Sequence, residues 1–312
     1  MRATNRRAKP RGFVLIAVLW VMAGVAVLGV HLTSAASDAV SAAQNRVDLL
    51  RAAWVAEACA EAARSVIDDA LIADARSTGN STSSWSSLDA IVSRSAVVSG
   101  CDLSLRPTGT TVNINSTDSS RIRAVLIAIG QSPESADSLI DALLDWRDAD
   151  ATPRTHGAER TWYRSAHRLT PRNGPIASID ELRLVRGFDR IGGLDTLFGV
   201  EDERIDIDRA PLAVLSSLPG IDASTLLLIA ERRRNGTLPG DLSVLAQALS
   251  TTSRALLLAH YPELVASTTT TPDAWTLSSK AAIGSPALVA TLELRLVSAG
   301  RRAAIVRRRS WP

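Results

Sequence analysis

The sequence predicts an α+β chain in which a long N-terminal helix and a small antiparallel sheet are interrupted by a large all-α insertion. Three observations predict it. An uncharged run, Phe13–Val30, passes directly into a helical three-four pattern. Stretches near 101–106 and 275–297 alternate apolar and polar residues like half-buried strands. Residues 116–265, between them, are predominantly helical in pattern.

The N-terminal element comes first. Residues 1–12 carry Arg2, Arg6, Arg7, Lys9 and Arg11 and no acid, and the apolar run that follows is 18 residues long. At 1.5 Å per residue it spans roughly 27 Å, about the thickness of a hydrocarbon core. Cations before it, without a matching cluster after it, set the N-terminus in the cytoplasm and the rest across the membrane. Val40, Ala43, Val47, Leu50 and Trp54 continue the three-four spacing, so one helix is expected from Phe13 to about Leu71, roughly 90 Å long. The small residues Thr33–Ser37 imitate a secretory cleavage site, the rival reading of this terminus. Against it stands Gly12-Phe13, at the boundary between basic leader and apolar run. A short basic leader ending in glycine before phenylalanine and an uninterrupted apolar helix resembles a prepilin peptidase site. The resemblance implies cleavage after Gly12 and a methylated N-terminus at Phe13, with the apolar segment retained.

The remaining elements follow in order. Residues 77–87, STGNSTSSWSS, read as a polar loop without a packing pattern. Residues 101–106 form a first strand, while 275–279 and 287–297 return to the same sheet and Arg302–Arg309 adds an edge. The expected organisation is a leader at 1–12, a transmembrane helix at 13–31 and a first part of the α/β domain at 32–115. An inserted helical domain at 116–267 and the closing strands at 268–312 complete it.

The insertion holds an internal repeat. Thr111–Asn115 (TVNIN) recurs as Arg204–Asp208 (RIDID), and each copy is followed by an apolar segment ending at a glycine, Gly130 or Gly220. A second helix follows each, Ala136–Arg147 and Ala223–Arg233. The second copy resembles a helix-hairpin-helix unit, a fold that often holds nucleic-acid phosphates on glycine-rich turns. Here the turn is Pro219-Gly220-Ile221-Asp222, with an aspartate where a second glycine is needed, and the other copy reads Gly130-Gln131-Ser132. Arg232–Arg234 is the local basic cluster and reads as a solvated helix face. The hairpins are therefore expected to pack as an interaction fold that binds no nucleic acid.

Composition excludes other classes. Hydrophobic residues at 46% and charged residues at 21% describe a folded chain, and a net charge of +3 is weak evidence for an acidic partner. His31, His156, His167 and His260 are scattered without metal-ligand spacing, and neither a G-x-S-x-G elbow nor a phosphate-binding glycine loop occurs. No enzymatic activity and no small-molecule substrate are expected.

Two stretches of the insertion, Leu143–Asp150 (LLDWRDAD) with Pro153-Arg154, Gly157-Ala158-Glu159 and Trp162-Tyr163, and Pro171–Gly187 (PRNGPIASIDELRLVRG), resemble signatures of the minor pseudopilin K family of type II secretion systems. Most pilin-like proteins carry a glutamate five residues after the cut; here that position is Ala17, and lacking the glutamate is itself a feature of this family. The resemblance implies a pilin-like fold and a structural subunit of the inner membrane, its C-terminal domain periplasmic. It also implies processing by prepilin peptidase and assembly with other minor pseudopilins at the tip of a fibre that drives protein export. A membrane-tethered DNA receptor and a minor pilin of a type IV pilus are the alternatives.

Two residue groups remain. Asp145, Asp148, Asp150 and Glu159 gather hard carboxylate oxygens around a loop containing proline and glycine, which suits calcium. They serve equally as helix-end caps or partners of Arg147 and Arg154; the resemblance favours calcium. Cys59 and Cys101 are too few for a zinc site or a disulfide scaffold, and read either as one disulfide or as two buried thiols.

Overall fold

The computed structural model describes residues 11–79, 82–94, 100–201, 203–237 and 241–311. The expected leader lies outside the described residues up to residue 10, and Gly12 and Phe13 are seen as backbone at the start of the first helix.

Helix α1 runs over Arg11–Thr78, 68 residues without a proline. Its first half is exposed throughout: from Leu15 to Leu32 every large apolar side chain is at least half exposed, as a membrane span requires. In its second half Ala52, Ala56, Cys59, Ala60, Ala63, Ile67, Leu71 and Ala75 are buried. That three-four stripe is mostly alanine, so the helix backbone lies close against what it covers. Two short helices follow, α2 (Thr82–Trp85) and α3 (Leu88–Arg94). The expectation of a packing-free loop at 77–87 is corrected here. The Trp85 side chain is buried and its Nε1 donates to the Pro272 carbonyl at 2.7 Å, while Trp275 Nε1 donates to the Trp85 carbonyl at 3.0 Å.

Strand β1 (Asp102–Pro107) leads into the helical body. The first part of that body comprises β2 (Val112–Asn113), α4 (Ser119–Ala128), α5 (Pro133–Arg147), α6 (Arg160–Ser165), α7 (Ile179–Leu182), α8 (Leu194–Leu197) and β3 (Phe198–Gly199). The second part comprises β4 (Ile205–Asp206), α9 (Leu212–Leu215), α10 (Ala223–Arg234), α11 (Leu242–Gln247), α12 (Thr251–Ala259), α13 (Tyr261–Ser267) and β5 (Thr268–Thr269). Strands β6 (Ala274–Ile283), β7 (Leu288–Ser298) and β8 (Ala303–Trp311) then finish a four-stranded antiparallel sheet in the order β1-β6-β7-β8.

The insertion begins and ends closer to the sheet than its sequence pattern suggests. Strand β2 pairs in parallel with β3, and β4 in parallel with β5. Val112, Ile114 and Ile205 are buried in the helical body's core, while Trp275, Leu277, Leu292, Leu294 and Leu296 share a second core with the alanine stripe of α1. The two ends of the body are closed by two-residue parallel ladders, too short to show a period.

The sheet lies along α1 in a fixed direction. Gly284, in the β6–β7 turn, sits so close to Asp48 that a Cβ would lie 3.0 Å from its Oδ2. Arg308 pairs with Glu57 at 2.8 Å, and the Ala303 N–H donates to Asp68 Oδ1 at 2.8 Å. Twenty residues of helix separate Asp48 from Asp68, a rise of roughly 30 Å away from the apolar span. Pro107 and Ala274, where the chain leaves and rejoins the sheet, are level with the Asp68 end through Pro107↔Trp275, Ala274↔Val297 and Val297↔Ala304. The helical body is thus attached at the end of the sheet farthest from the membrane span.

Ion pairs fasten it there. Arg295 bonds Glu201 and, at 2.6 Å, Glu203; Arg307 also reaches Glu201; Arg204 pairs with Asp273. Cys59 and Cys101 are joined in a disulfide that ties α1 to the residue before β1 across 42 positions.

Candidate metal centre

The acidic loop starts where α5 ends. Its N-terminus is set by Ser132, whose hydroxyl accepts from the Ser135 N–H, and by Pro133 in the first turn, where a missing N–H costs nothing. At the other end Arg147 turns back to the start of the body and donates to the carbonyls of Ile114 at 2.7 Å and Asn115 at 2.5 Å. Asp148 is the C-terminal cap, and the chain then loops back to Glu159, which opens α6.

The four acids expected to act together fall into two sets. Asp148, Asp150 and Glu159 each present a carboxylate oxygen, all within 4.8 Å of one another. Asp145 stands apart. It is fully buried, and its carboxylate accepts from the Arg154 N–H at 3.1 Å and from the Arg154 guanidinium at 2.6 Å. The loop folds over it so tightly that a Cβ on Gly157 would lie 1.9 Å from Asp145 Oδ2, so only glycine fits there. Asp145 is therefore an organiser of the loop, and its arginine, Arg154, reaches on to Asp148, a bridge that the sequence does not show.

The remaining three fit a hard cation. Glu159 is 5% exposed, and its Oε1 is buried without a hydrogen-bond partner, as is Asp148 Oδ1. A buried carboxylate oxygen left unpaired is costly, so these atoms have the environment of ligands rather than of surface charges. Burial pushes the Glu159 carboxyl above its ordinary range, and the negative charges of Asp145, Asp148 and Asp150 push it further in the same direction. The other oxygens are held in place: Asp150 Oδ1 accepts from the Thr152 N–H at 2.8 Å, and Asp148 Oδ2 from Arg154 at 2.5 Å. Carboxylates at this spacing on an irregular loop suit the flexible oxygen shell of calcium better than the tight octahedron of magnesium.

Behind the loop, Tyr163 packs edge-on against Trp146 and Trp162, at centroid separations of 5.1 and 4.9 Å. Burial raises the Tyr163 hydroxyl to about 12, and its oxygen accepts from the Arg186 N–H at 2.9 Å. Arg186 also stacks 4.9 Å over Trp162 and donates to the Gly157 carbonyl at 3.1 Å. The contribution of Arg186, forty residues from the start of the loop, carried no local signal in the sequence.

The repeat proposed from sequence is present in the backbone and in its bonds. Asn113 Oδ1 accepts from the Asn115 N–H at 2.8 Å, and Asp206 Oδ1 accepts from the Asp208 N–H at 2.9 Å. Gly130 and Gly220 both turn with positive φ. Ser132 and Asp222 both cap the next helix, and Arg233, like Arg147, returns to a backbone carbonyl, that of Ile207. Arg233 is thus not part of a solvated face. Asp222 accepts from Thr225 and, at 2.7 Å, from Ser253, contacts that hold its carboxyl below the usual range.

Comparisons with known proteins point the same way. Residues 102–191 match the family model "Type II secretion system (T2SS), protein K". A 67-residue stretch is 39% identical to "Type II secretion system protein K" of Dickeya chrysanthemi; it covers 22% of this chain and spans only 18% of that relative's length. The fold resembles a chain of the crystal structure of the GspK-GspI-GspJ complex from the enterotoxigenic Escherichia coli Type 2 Secretion System, with a TM-score of 0.56 and 15% identity over 86% of this chain and 99% of that one. The likeness to the protein K family is thus carried by residues 102–191, and the likeness in fold extends over most of the chain.

Proposed function

We propose that this chain is a GspK-type minor pseudopilin at the tip of a type II secretion pseudopilus, anchored by α1 in the inner membrane with its globular part in the periplasm. The observation that carries this reading is the placement of the helical body. It leaves the sheet at the end farthest from the membrane span, where the next subunit of a helical fibre would stack, and so it caps the fibre instead of extending it. Ala17 supports the position as well. A glutamate there would neutralise the N-terminal amine of a neighbouring subunit in an apolar bundle, and a first subunit has no such neighbour to serve. The partners are the other minor pseudopilins, as in the complex named by the structural neighbour. Prepilin peptidase cuts between Gly12 and Phe13. Purification of the tagged full chain from membranes in mild detergent tests the assembly. The tip reading expects the other minor pseudopilins in near-equal amounts, and recovery of the chain alone, or within a large excess of one fibre subunit, overturns it.

We further propose that Asp148, Asp150 and Glu159 hold one calcium ion, with Asp145 fixing the loop through Arg154. The bound ion would relieve the mutual repulsion of the three carboxylates and hold residues 148–159 against the aromatic wall formed by Trp146 and Tyr163. Calorimetry with calcium tests this; no heat of binding at millimolar ion would reduce these acids to helix-end residues.

A further inference from the structure

A cavity of about 520 Å³ lies on the first half of the helical body, with Trp162 in its lining. Ser135 and Leu139 of α5, Trp162 of α6 and the turn Arg186–Ile191 line it, together with Arg168. Three guanidinium groups, Arg168, Arg186 and Arg190, face one carboxylate, that of Asp189, which pairs with Arg168 at 3.0 Å. Three cations against one anion leave two positive charges uncompensated at the lining. Arg190 is exposed and has no ion-pair partner among the described residues, and Arg186 is committed to the face of Trp162 and a backbone carbonyl rather than to an acid.

The other large clefts differ. The cleft lined by Arg121 and Arg204 also holds Asp118, Glu203, Glu263 and Asp273, and in the one across the sheet Glu201 and Glu203 already neutralise Arg295 and Arg307. The basic pocket is also built rigidly. His167 takes a left-handed conformation, φ 52°, uncommon outside glycine, and the Arg168 N–H closes back onto the Tyr163 carbonyl at 2.9 Å. That turn fixes where Arg168 emerges. Gly187 at φ 87° leaves no room for a Cβ, which would lie 2.8 Å from Leu139, and so brings the Arg186–Arg190 turn down onto α5.

We propose that this pocket docks an acidic peptide segment of a partner protein, with a carboxylate side chain between Arg186 and Arg190 and an apolar neighbour against Trp162. Forked guanidinium groups match carboxylates in two-point geometry, and an arginine already stacked on an aromatic ring loses little freedom on binding. A local pocket rather than an extended basic stripe favours a peptide side chain over a nucleic-acid backbone. The inference goes beyond the fibre-tip reading and stands on the pocket alone.

The test uses the full chain in nonionic detergent at low salt with fluorescein-labelled hexaglutamate, followed by anisotropy. Hexaglutamate binds and hexalysine does not, and raising the salt weakens binding. Arg190→Glu, at an exposed and unpaired site that does not threaten folding, weakens it at least tenfold, while Asp189→Asn tightens it severalfold. Equal binding of hexaglutamate and hexalysine, or an unchanged affinity in Arg190→Glu, overturns the proposal. So does an oligothymidylate of the same charge that binds as tightly, or free glutarate that competes at the peptide's own concentration.

Discussion

In the first half of the helical body, Asn113 ends the short strand β2 and Asn115 follows it; in the second half, Asp206 and Asp208 stand at the same places at the end of β4 and beyond it. The backbone plan is shared down to the turn glycine, the helix cap and the returning arginine. The side-chain accounting is not. Asn115 donates to the Ile176 carbonyl at 2.9 Å and accepts from the Ile176 N–H at 2.8 Å, so both ends of a neutral group are paired. Asp206 is buried but pairs with Arg209 at 2.9 Å, whereas Asp208 Oδ1 is buried without a partner. Burial pushes the Asp208 carboxyl up to about 6, with the charge of Asp206 adding to it against Arg209 and Arg233. The first half instead concentrates its acids on the excursion after α5, where the carboxylates of Asp148, Asp150 and Glu159 come together. One scaffold thus carries an organised acid site in one copy and an uncompensated acid in the other.

The largest expected difference between the halves is at Asp145. Replacing it by alanine strands the Arg154 N–H and leaves its guanidinium on Asp148 alone, and about 3 kcal/mol of stability should disappear, seen as a lower urea midpoint. A loss within a few tenths of a kcal/mol would mean that the loop is held by something else. Calcium comes next: at a hundredfold excess over Kd it should stabilise the chain by about 2.7 kcal/mol, and Asp148→Ala should abolish most of that gain. Magnesium should substitute poorly.

The second half should respond in the opposite sense. A carboxyl whose folded-state pKa is raised binds its proton more tightly in the folded state, so stability rises as pH falls through about 6 and the penalty is complete above it. Asp208→Asn should therefore stabilise the protein at pH 7, by about 1–2 kcal/mol after allowance for partial exposure, and should flatten the pH dependence between about 4 and 6. Destabilisation by this change would show that Asp208 is compensated after all. The smallest contrast is at the turn glycines. Gly130→Ala meets nothing within 4 Å and should cost about 1 kcal/mol for its positive φ alone. At Gly220 the added Cβ would also lie 3.0 Å from His260, so Gly220→Ala should cost more, and equal losses would show that His260 yields freely.

Much of this was legible in the sequence, for physical reasons that also mark where legibility ends. The uncharged run of α1 and the alternation in β7 extend over many residues and lie where the pattern puts them, while β6 continues four residues beyond the expected 275–279. The repeat was readable because TVNIN and RIDID keep their polar residues in step. Trp85 was hidden in a serine-rich stretch whose composition describes a loop, although one aromatic residue suffices to pin it. Parallel pairing of β2 with β3 and of β4 with β5 involves two residues per strand, below the length at which alternation exists. The spacing of Cys59 within the alanine stripe places it on the sheet-facing side of α1, but burial of a thiol satisfies that pattern as well as a disulfide does.

The account rests on the chain being a pseudopilin whose apolar helix is kept after processing, and the N-terminus of the mature protein tests this most directly. Intact-mass and N-terminal peptide mass spectrometry of the membrane-extracted chain should find a polypeptide beginning at Phe13, carrying one added methyl group and retaining the whole of α1 from that point. A mature chain beginning near Ser37, with the apolar segment gone, would contradict the account.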